Sequence, residues 1–283
     1  MVCIAGKNDV AIECMKFVLK NFDGEIVGVC NSKDSGENGY YKSYKKFLIE
    51  NDIKIAKMKE IQKIKELFFF SIEFDKIINV NDFKSKNLFN IHFSLLPKYK
   101  GVYTSAMPIL LDERKSGVTL HKIDNGIDTG DIVDQIDFEL DAKETCDSLY
   151  KKYMQFGVEL FKRNFNNILK GNFIVKKQDK IYSTYFSKKS IDYKNLKIDL
   201  NKTAYEIGKQ IRAFFCPAFQ YPKILGYEII DYEILDKRSF KKAGEVLEDN
   251  EKFLIIATID YDLKIYKKNF SENYKKIREN IEY

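Results

Sequence analysis

The chain has 283 residues, of which 45% are hydrophobic and 32% charged, and its formal net charge is +6. This length suits one large domain or two ordinary ones, and no apolar run approaches the ~18 residues that a membrane-spanning helix needs. The basic excess favours an anionic partner such as a phosphate, although a solvated lysine-rich surface explains it equally well. The first residues are typical of a buried strand rather than a signal peptide, so we expect a cytoplasmic protein without membrane contact.

Strand-like and helix-like runs alternate through the first eighty residues. Apolar and β-branched runs predict strands at residues 2–5, 25–30, 53–58 and 74–80, and helical spacing of apolar residues predicts helices at 11–22, 40–49 and 59–67. Strands separated by helices of this length form βαβ units. The pattern therefore predicts an α/β fold with a Rossmann-like, mostly parallel, twisted sheet and helices on both of its faces.

The pattern changes after a long predicted helix at residues 145–169. Before that helix, strands are predicted at 88–93, 117–123 and 131–140, with a helix at 104–113. The polar residues 171–190 are predicted to be a linker. A short helix with Thr203 and Glu206 as its capping box follows, and then several short strand-like runs.

These changes predict two domains. We expect a catalytic domain at residues 1–175 and a smaller β-rich C-terminal domain at 176–283 that begins with one helix. The charged tail, residues 272–283, is predicted to be either a helix or a frayed end.

Only two histidines are present, and His92 lies in the run NIHFSLLP at residues 90–97. Asn90 and His92 are two residues apart on a predicted strand, so their side chains point to the same face. Pro97 cannot continue a central strand, which places the two polar groups beside a loop at the strand's end, where open α/β sheets bind ligands. Histidine is the commonest acid–base residue near neutral pH. We predict that the other histidine, His121, is structural.

An acidic loop follows about thirty residues later, around the turn signal Asn125-Gly126. It contains Asp124, Asp128 and Asp131, but their spacing does not match a calcium loop. The five cysteines contain no CxxC pair, so we predict no metal site. A solvent-exposed acidic loop is the simpler interpretation. Together, the amide, the imidazole and the carboxylate suggest acyl transfer.

Three sequence blocks carry a family resemblance: NIHFSLLPKYKG at residues 90–101, GVTLHKID at 117–124 and GIDTGDI at 126–132. In this order and spacing they resemble the formyltransferases that use N10-formyltetrahydrofolate. The stretch at residues 212–223 is most similar to the N-formyltransferases of nucleotide-linked amino-deoxy sugars. Looser similarity at residues 5–9, 211–214 and 244–247 extends the resemblance over nearly the whole chain. The resemblance implies a folate co-substrate and a catalytic trio of Asn90, His92 and Asp128.

The chemistry of these residue types agrees with that implication. A substrate amine attacks the formyl carbon, and negative charge develops on the formyl oxygen. Asn90 and His92 are candidate donors to this oxygen, each worth roughly 3–4 kcal/mol. His92 or Asp128 is the candidate acceptor of the amine proton, directly or through water, and the sequence leaves this choice open. A serine hydrolase using Ser94 is disfavoured because no G-x-S-x-G elbow is present.

By the same resemblance, the pterin ring of the folate is expected between two segments, residues 80–91 and 123–127. Backbone amides would bind the ring edge, and Gly126 would permit a close approach. The residues implied in this pocket are Val80, Phe89, Ile91, Ile123, Asp124, Asn125, Gly126 and Ile127.

The resemblance leaves the acceptor amine open between two main classes. Two predicted domains favour either a nucleotide-linked amino sugar or methionyl-tRNA. An example of the first class is a dTDP-linked 3- or 4-amino-dideoxyhexose. The tRNA enzymes typically carry a basic insertion early in the first domain, whereas residues 31–39 here are short and mixed in charge. We therefore prefer the nucleotide sugar, used for a surface polysaccharide, and no nucleic acid partner. A binding protein without activity and a homodimer are further possibilities, the dimer by analogy alone.

The candidate residues for the nucleotide sugar lie in three stretches. The first strand-to-helix turn offers a cation and an amide near a helix N-terminus. Hydroxyl groups follow the Pro97 loop. The aromatic and basic stretch at residues 212–223 offers stacking and charge, although packing between domains explains it equally well. The candidates are Lys7, Asn8, Thr104, Ser105, Arg212, Phe219, Tyr221 and Lys223.

Overall fold

The computed structural model describes residues 1–268, and the tail at 272–283 lies outside them. The described chain forms two compact units that are not separated by a single cut. The first contains Met1–Thr104, Arg114–Leu140 and Tyr150–Ser187, and the second contains Ser105–Glu113, Asp141–Leu149 and the chain from Lys188 onward. Within the described part, no helix has the length and hydropathy that crossing a bilayer requires.

The described residues contain thirteen strands and six α-helices. The strands are β1 Val2–Gly6, β2 Ile26–Cys30, β3 Phe68–Ile72, β4 Asn87–His92, β5 Lys100–Gly101, β6 Lys115–Lys122, β7 Ile132–Glu139, β8 Tyr185–Phe186, β9 Lys223–Ile224, β10 Tyr227–Ile234, β11 Val246–Asp249, β12 Phe253–Ile256 and β13 Leu263–Lys267. The helices are α1 Asn8–Asn21, α2 Tyr44–Glu50, α3 Met58–Ile61, α4 Met107–Leu110, α5 Cys146–Leu169 and α6 Ala204–Phe214.

The first unit is built on a six-stranded sheet in the order β2-β1-β3-β4-β6-β7. The first four of these strands pair in parallel, whereas β6 pairs antiparallel with β4 and with β7. This mostly parallel sheet confirms the predicted α/β fold. The change of direction at β4 places the residues of β6 directly opposite those of the strand that carries Asn90 and His92.

A cluster of phenylalanine rings fixes helices against one face of this sheet. Phe70 of β3 lies 5.0 Å from the ring of Phe161 and 6.0 Å from that of Phe165, both on α5, and Phe17 of α1 meets the same two α5 rings edge-on. The three rings of Phe70, Phe161 and Phe165 are at most 1% exposed. Burial of each such side chain stabilises the fold by roughly 1.5–3 kcal/mol.

Two predicted strands of this unit were wrong. Residues 53–58 form no strand, because only Ile55 makes an isolated bridge to Gly28. The strand predicted at 74–80 is instead β3, which lies six residues earlier than predicted. Its sequence FFFSI is apolar almost throughout because a central parallel strand is buried on both faces, and a continuous apolar run carries no alternation that would separate strand from helix.

The predicted helices at 40–49, 59–67 and 104–113 are shorter than expected. The first begins at Tyr44 because the Ser43 side chain accepts from the Lys46 N–H and caps the helix there. The other two are the single turns α3 and α4, of four residues each. The predicted linker at 171–190 is in part ordered by pairing within the first unit, where β8 pairs with β5 and Lys176 bridges to Ile132.

The second unit contains a five-stranded antiparallel sheet in the order β11-β12-β13-β10-β9. Helix α6 begins with the predicted capping box, in which Thr203 accepts from the Glu206 N–H and the Glu206 side chain accepts from the Thr203 N–H. The helix approaches β10 so closely that a Cβ at Gly208 would lie 2.3 Å from the Tyr232 ring. Sheet and helix confirm the predicted β-rich C-terminal part.

The capping box provides a test of how this helix is stabilised. Replacing Thr203 by alanine removes the side-chain acceptor of the first turn, so we expect the free energy of unfolding to fall by about 1 kcal/mol. Urea denaturation followed by circular dichroism measures the change. The control is Thr203→Ser, which keeps the acceptor and is expected to stay close to the parent protein. Equal stability of the alanine and serine variants would contradict the assignment.

Candidate active site

Strand β4 carries two of the predicted catalytic residues on one face. Asn90 and His92 alternate with Phe89 and Ile91, which are 0% and 4% exposed on the opposite, core-facing side. The antiparallel pairing with β6 sets His121 opposite Asn90 and Thr119 opposite His92. The polar face of β4 therefore meets polar residues of β6.

The His92 ring is held between a carbonyl and a carboxylate. Its Nε2 lies 2.8 Å from the Tyr99 carbonyl oxygen, and its Nδ1 lies 3.5 Å from Oδ2 of Asp128. A carbonyl oxygen only accepts, so Nε2 must carry a proton, and Nδ1 is the nitrogen that faces the carboxylate. Ser94 is fully buried and donates to the Lys98 carbonyl oxygen, which is a structural contact.

The carboxylate of Asp128 is the meeting point of the site. Oδ2 accepts from the Gly101 N–H at 2.9 Å, while Oδ1 lies 3.4 Å from Asn90 Nδ2 and 3.6 Å from His121 Nε2. Burial by itself raises the pKa of this carboxyl, but the charges of His92 and of the nearby His121 ring, together with the Gly101 N–H, outweigh it and hold the pKa well below the usual value. The residue has φ +53°, a backbone conformation uncommon outside glycine.

His121, predicted to be structural, lies within this cluster. Its Nδ1 is 2.7 Å from the Lys122 carbonyl oxygen, so that nitrogen carries a proton. Its Nε2 lies 3.1 Å from Asn90 Nδ2 and accepts from it when the ring is neutral. The ring is 2% exposed, and it orients the Asn90 amide. Sequence reasoning missed this contact because it depends on the register between β4 and β6, which no local motif shows.

The two segments expected to hold the pterin ring lie next to each other. Val80 and Ile123 pack against the same core cluster, and the Asn81 amide lies 3.4 Å from the Asn125 side-chain oxygen. The core-facing side chains of Phe89 and Ile91 are outside this surface, since Phe89 packs against Phe70. The expected contribution of these two residues, through their backbone amides, stays a prediction.

The acidic loop is closed by its own side chains. Oδ1 of Asp124 accepts from the Gly126 N–H at 3.0 Å and from the Thr129 hydroxyl at 2.6 Å. A Cβ at Gly126 would lie 2.0 Å from Thr129 Oγ1, so glycine is needed to close this turn. Ile127 stays 40% exposed at the loop surface. The described residues contain no His, Cys, Asp and Glu cluster able to hold a metal ion.

Lys7 and Asn8 lie at the carboxyl end of β1, in a network of polar groups. Asn8 donates to the Tyr150 hydroxyl at 2.8 Å, and that hydroxyl donates to Glu73 at 2.7 Å. The Lys7 ammonium lies 3.6 Å from the same Glu73 carboxylate. In the same unit, the Thr104 carbonyl oxygen accepts from the Tyr153 hydroxyl.

The remaining candidates for the acceptor lie in the second unit. Arg212 is 7% exposed, and its guanidinium donates to the Glu144 carbonyl oxygen and the Tyr232 hydroxyl. It therefore holds this unit together, and its burial disagrees with the expectation of a phosphate ligand. The others are placed as follows: the Ser105 hydroxyl lies 3.2 Å from the Cys146 sulfur, Phe219 is 61% exposed, Tyr221 packs edge-on against Phe215, and Lys223 is exposed at the start of β9.

Comparison with known proteins identifies the family of this chain. The family model for formyl transferase matches residues 58–164, and the model for the formyl transferase C-terminal domain matches residues 190–278. A methionyl-tRNA formyltransferase of Clostridioides difficile strain 630 is 30% identical over an alignment that covers 93% of this chain and 90% of the relative. The chain belongs to the formyl transferase family.

Solved structures resemble this formyltransferase over nearly its whole length. WlaRD, a sugar 3N-formyl transferase crystallised with dTDP and 5-N-formyl-THF, superposes with a TM-score of 0.87 at 44% identity and covers 95% of this chain and 97% of its own. The N-formyltransferase of Helicobacter canadensis, in complex with folinic acid and dTDP-3-aminofucose, has a TM-score of 0.86 at 40% identity, with coverages of 94% and 98%. A 4-N formyltransferase of Francisella tularensis reaches a TM-score of 0.66 at 25% identity, with coverages of 80% and 94%.

These comparisons also identify the co-substrate. WlaRD and the Helicobacter canadensis enzyme were both crystallised with a formylated folate. This formyltransferase uses a formyl-folate as its one-carbon donor. Val80 and Ile123 pack against a core cluster that includes Leu88 of β4, and Ile127 is 40% exposed. That the folate ring binds beside these three side chains stays a prediction.

The low pKa of the Asp128 carboxyl can be measured. We expect no titration of its ¹³C carboxyl resonance near pH 4, where an ordinary aspartate titrates. Because the pKa is lower in the folded than in the unfolded state, the stability that this carboxylate contributes is fully present above the unfolded pKa near ~3.9 and is lost as the pH falls towards the folded one. Asp128→Asn assigns the resonance, and the urea-unfolded protein gives the reference. A titration step near pH 4 in the folded protein would contradict the geometry.

Proposed function

We propose that this enzyme transfers the formyl group of N10-formyltetrahydrofolate to the 3-amino group of a dTDP-linked 3-amino-dideoxyhexose. The observation that carries the proposal is the similarity to WlaRD and to the Helicobacter canadensis enzyme, at 44% and 40% identity over at least 94% of this chain. The 4-N formyltransferase is less similar, at 25% identity and 80% coverage. This gradient favours the 3-amino over the 4-amino position.

Methionyl-tRNA is the second candidate acceptor, because three methionyl-tRNA formyltransferases are 26–30% identical to this chain over 87–95% of its length. The loop at residues 31–39 argues against it. Asp34 closes this loop by accepting from the Ser43 hydroxyl and the Lys45 N–H, and the segment offers no extended basic surface for a phosphate backbone.

The proposed reaction is a direct attack of the sugar amine on the formyl carbon. The new carbon–nitrogen bond forms as the bond to N10 of the folate breaks, the amine loses one proton and N10 gains one. No covalent intermediate with the enzyme is required. Asn90 is the proposed donor to the formyl oxygen, where negative charge collects. Its 3.4 Å contact to Asp128 is longer than a normal hydrogen bond and is the one most readily exchanged for that oxygen.

His92 is the proposed acceptor of the amine proton, and Asp128 is the proposed anion that stabilises the charged ring. Nδ1 of His92 faces Asp128 at 3.5 Å, so a proton that arrives on this nitrogen is stabilised by the carboxylate. Nε2 is held by the Tyr99 carbonyl oxygen, which fixes the ring in one orientation. The depressed pKa keeps Asp128 anionic through the working range of the enzyme.

The cellular setting follows from the acceptor and stays a prediction. A formylated dTDP-linked amino sugar is a building block for a surface polysaccharide, and we predict that the enzyme makes it in the cytoplasm as a homodimer.

The exposed Phe219 and the edge-on Tyr221 remain candidates for stacking on the thymine base, with Lys223 near them in sequence.

An assay of formyl transfer tests the acceptor. With N10-formyltetrahydrofolate as donor, dTDP-linked 3-amino and 4-amino dideoxyhexoses, UDP- and GDP-linked amino sugars and methionyl-tRNA are offered in turn. We expect turnover of the dTDP-linked 3-amino sugar, with a KM that changes little between 50 and 200 mM salt. Turnover of methionyl-tRNA alone, with a steep salt dependence from its phosphate contacts, would replace the proposal by its alternative.

Two variants test the catalytic trio with the acceptor thus identified. Asn90→Ala removes the proposed oxyanion donor, and we expect kcat to fall by about 10²–10³-fold with folate binding retained. We expect the kcat of His92→Asn to fall by at least the same factor, because the ionisable ring is lost. Fluorescence titration with 5-formyltetrahydrofolate controls for folate binding. If either variant kept the parent kcat, that residue would have no role in the chemical step.

A further inference from the structure

The segment at residues 176–186, which the sequence predicts to be part of a linker, contacts both backbone loops that hold the trio. We infer that this segment, here named the strap, positions Asp128 and His92 for formyl transfer, with Gln178 and Thr184 as its positioning residues. The inference deepens the proposed function and rests on the catalytic roles proposed there. All of its contacts lie within the first unit.

On one side, the strap holds the acidic loop through the Gln178 side chain. Its Nε2 donates to the carbonyl oxygens of Asp128 and Gly130, each at 2.8 Å. Asp128 has φ +53°, a conformation that a residue with a side chain seldom adopts without support from its surroundings. The two hydrogen bonds from Gln178 tie down the backbone on either side of Thr129 and so fix the direction of the Asp128 carboxylate.

The other end of the Gln178 amide points to a specific role. Its Oε1 is buried and has no hydrogen-bond partner among the described residues. A buried amide oxygen without a partner disfavours the folded state, and such atoms are rare in native proteins. A leucine of similar size would avoid this cost. Glutamine at this position is therefore explained by what its amide nitrogen holds.

On the other side, the strap supports the loop that contacts His92. Thr184 Oγ1 accepts from the Tyr99 N–H at 2.7 Å, and the Thr184 carbonyl oxygen accepts from the Lys100 N–H at 2.9 Å. The pairing continues as β5 with β8, where a Cβ at Gly101 would lie 2.2 Å from the Phe186 carbonyl oxygen. Tyr99 and Gly101 also have positive φ values of 60° and 89°.

Tyr99 and Gly101, which the strap supports, also contact the trio. The Tyr99 carbonyl oxygen accepts from His92, and the Gly101 N–H donates to Asp128. The 3.5 Å between His92 Nδ1 and Asp128 Oδ2 exceeds a direct hydrogen bond, so the pair is not fixed by its own contact. The strap fixes Asp128 through the carbonyl oxygen of Asp128 itself, and it fixes the His92 ring through the backbone of Tyr99. A displacement of about 1 Å in such a site costs on the order of 10²-fold in rate.

The first experiment replaces Gln178 by leucine and, separately, by glutamate, neither of which donates to the two carbonyl oxygens. We expect kcat to fall by roughly 10- to 100-fold, with KM for folate and for the acceptor within about threefold of the parent. The matched control is Gln210→Leu, because the Gln210 amide nitrogen also bridges two carbonyl oxygens, those of Asp199 and Glu206 in the second unit. Its kcat is expected to stay unchanged.

A second pair of variants tests the other anchor. Thr184→Val removes the acceptor of the Tyr99 N–H, whereas Thr184→Ser keeps it. We expect a loss of kcat in the valine variant and near-parent activity in the serine variant. Equal kcat in both variants would overturn the role of Thr184, and a loss of kcat that follows Tm equally in Gln178→Leu and Gln210→Leu would overturn positioning in favour of general destabilisation.

The Asp128 carboxyl gives a readout that does not depend on activity. In Gln178→Leu we expect its ¹³C titration to move up towards the ordinary range, because the carboxylate leaves its partners. A moved titration with unchanged kcat would keep the strap as the support of Asp128 but overturn the catalytic role of Asp128, which belongs to the proposed function. An unchanged titration with unchanged kcat would overturn the strap.

Discussion

The buried carboxylate of Asp128 is the interaction on which the rest of the site depends. Its side chain is 13% exposed, and a charge in that position is tolerated only if it is paired and hydrogen-bonded. Its partners are two imidazoles and a backbone N–H, from His92, His121 and Gly101. They come from β4, β6 and β5, so the carboxylate contacts three separate strands of the first unit.

The sheet explains why these parts meet. The parallel strands end their run at β4, and β6 then pairs with β4 in the opposite direction. This pairing sets His121 beside Asn90. Because β6 ends at Lys122, the acidic loop that carries Asp128 begins next to the strand that carries Asn90 and His92. The loop then needs a residue with positive φ to turn its carboxylate towards Gly101, and Asp128 itself provides it. Strain of this kind persists at functional sites where the surroundings enforce it.

The same fold serves different acceptors among its relatives, which include a methionyl-tRNA formyltransferase and sugar N-formyltransferases. A chemical step that needs only an amine explains this breadth, because the proposed donor to the formyl oxygen and the proposed proton acceptor do not depend on the rest of the acceptor. Residue type alone is a poor guide to the acceptor site. Arg212 has the charge expected of a phosphate ligand, yet its guanidinium is occupied by contacts inside the second unit.

Local patterns in the sequence were sufficient for part of this description. The two-residue period of a strand placed Asn90 and His92 on one face, and the capping box at Thr203 set the start of α6, because both depend on residues no more than three apart. The alternation of strands and helices likewise gave the α/β fold. The spacing of three motif blocks gave the family.

Tertiary structure decided what depends on residues far apart in the chain. The contact of Asn90 with His121 spans 31 residues and that of Gln178 with Asp128 spans 50, so neither is visible in any local window. Strand β3 was also missed, because its almost entirely apolar sequence shows no two-residue alternation when both faces of the strand are buried. Periodicity and capping are set by neighbouring residues, whereas register and the environment of a charge are set by which distant segments pack together.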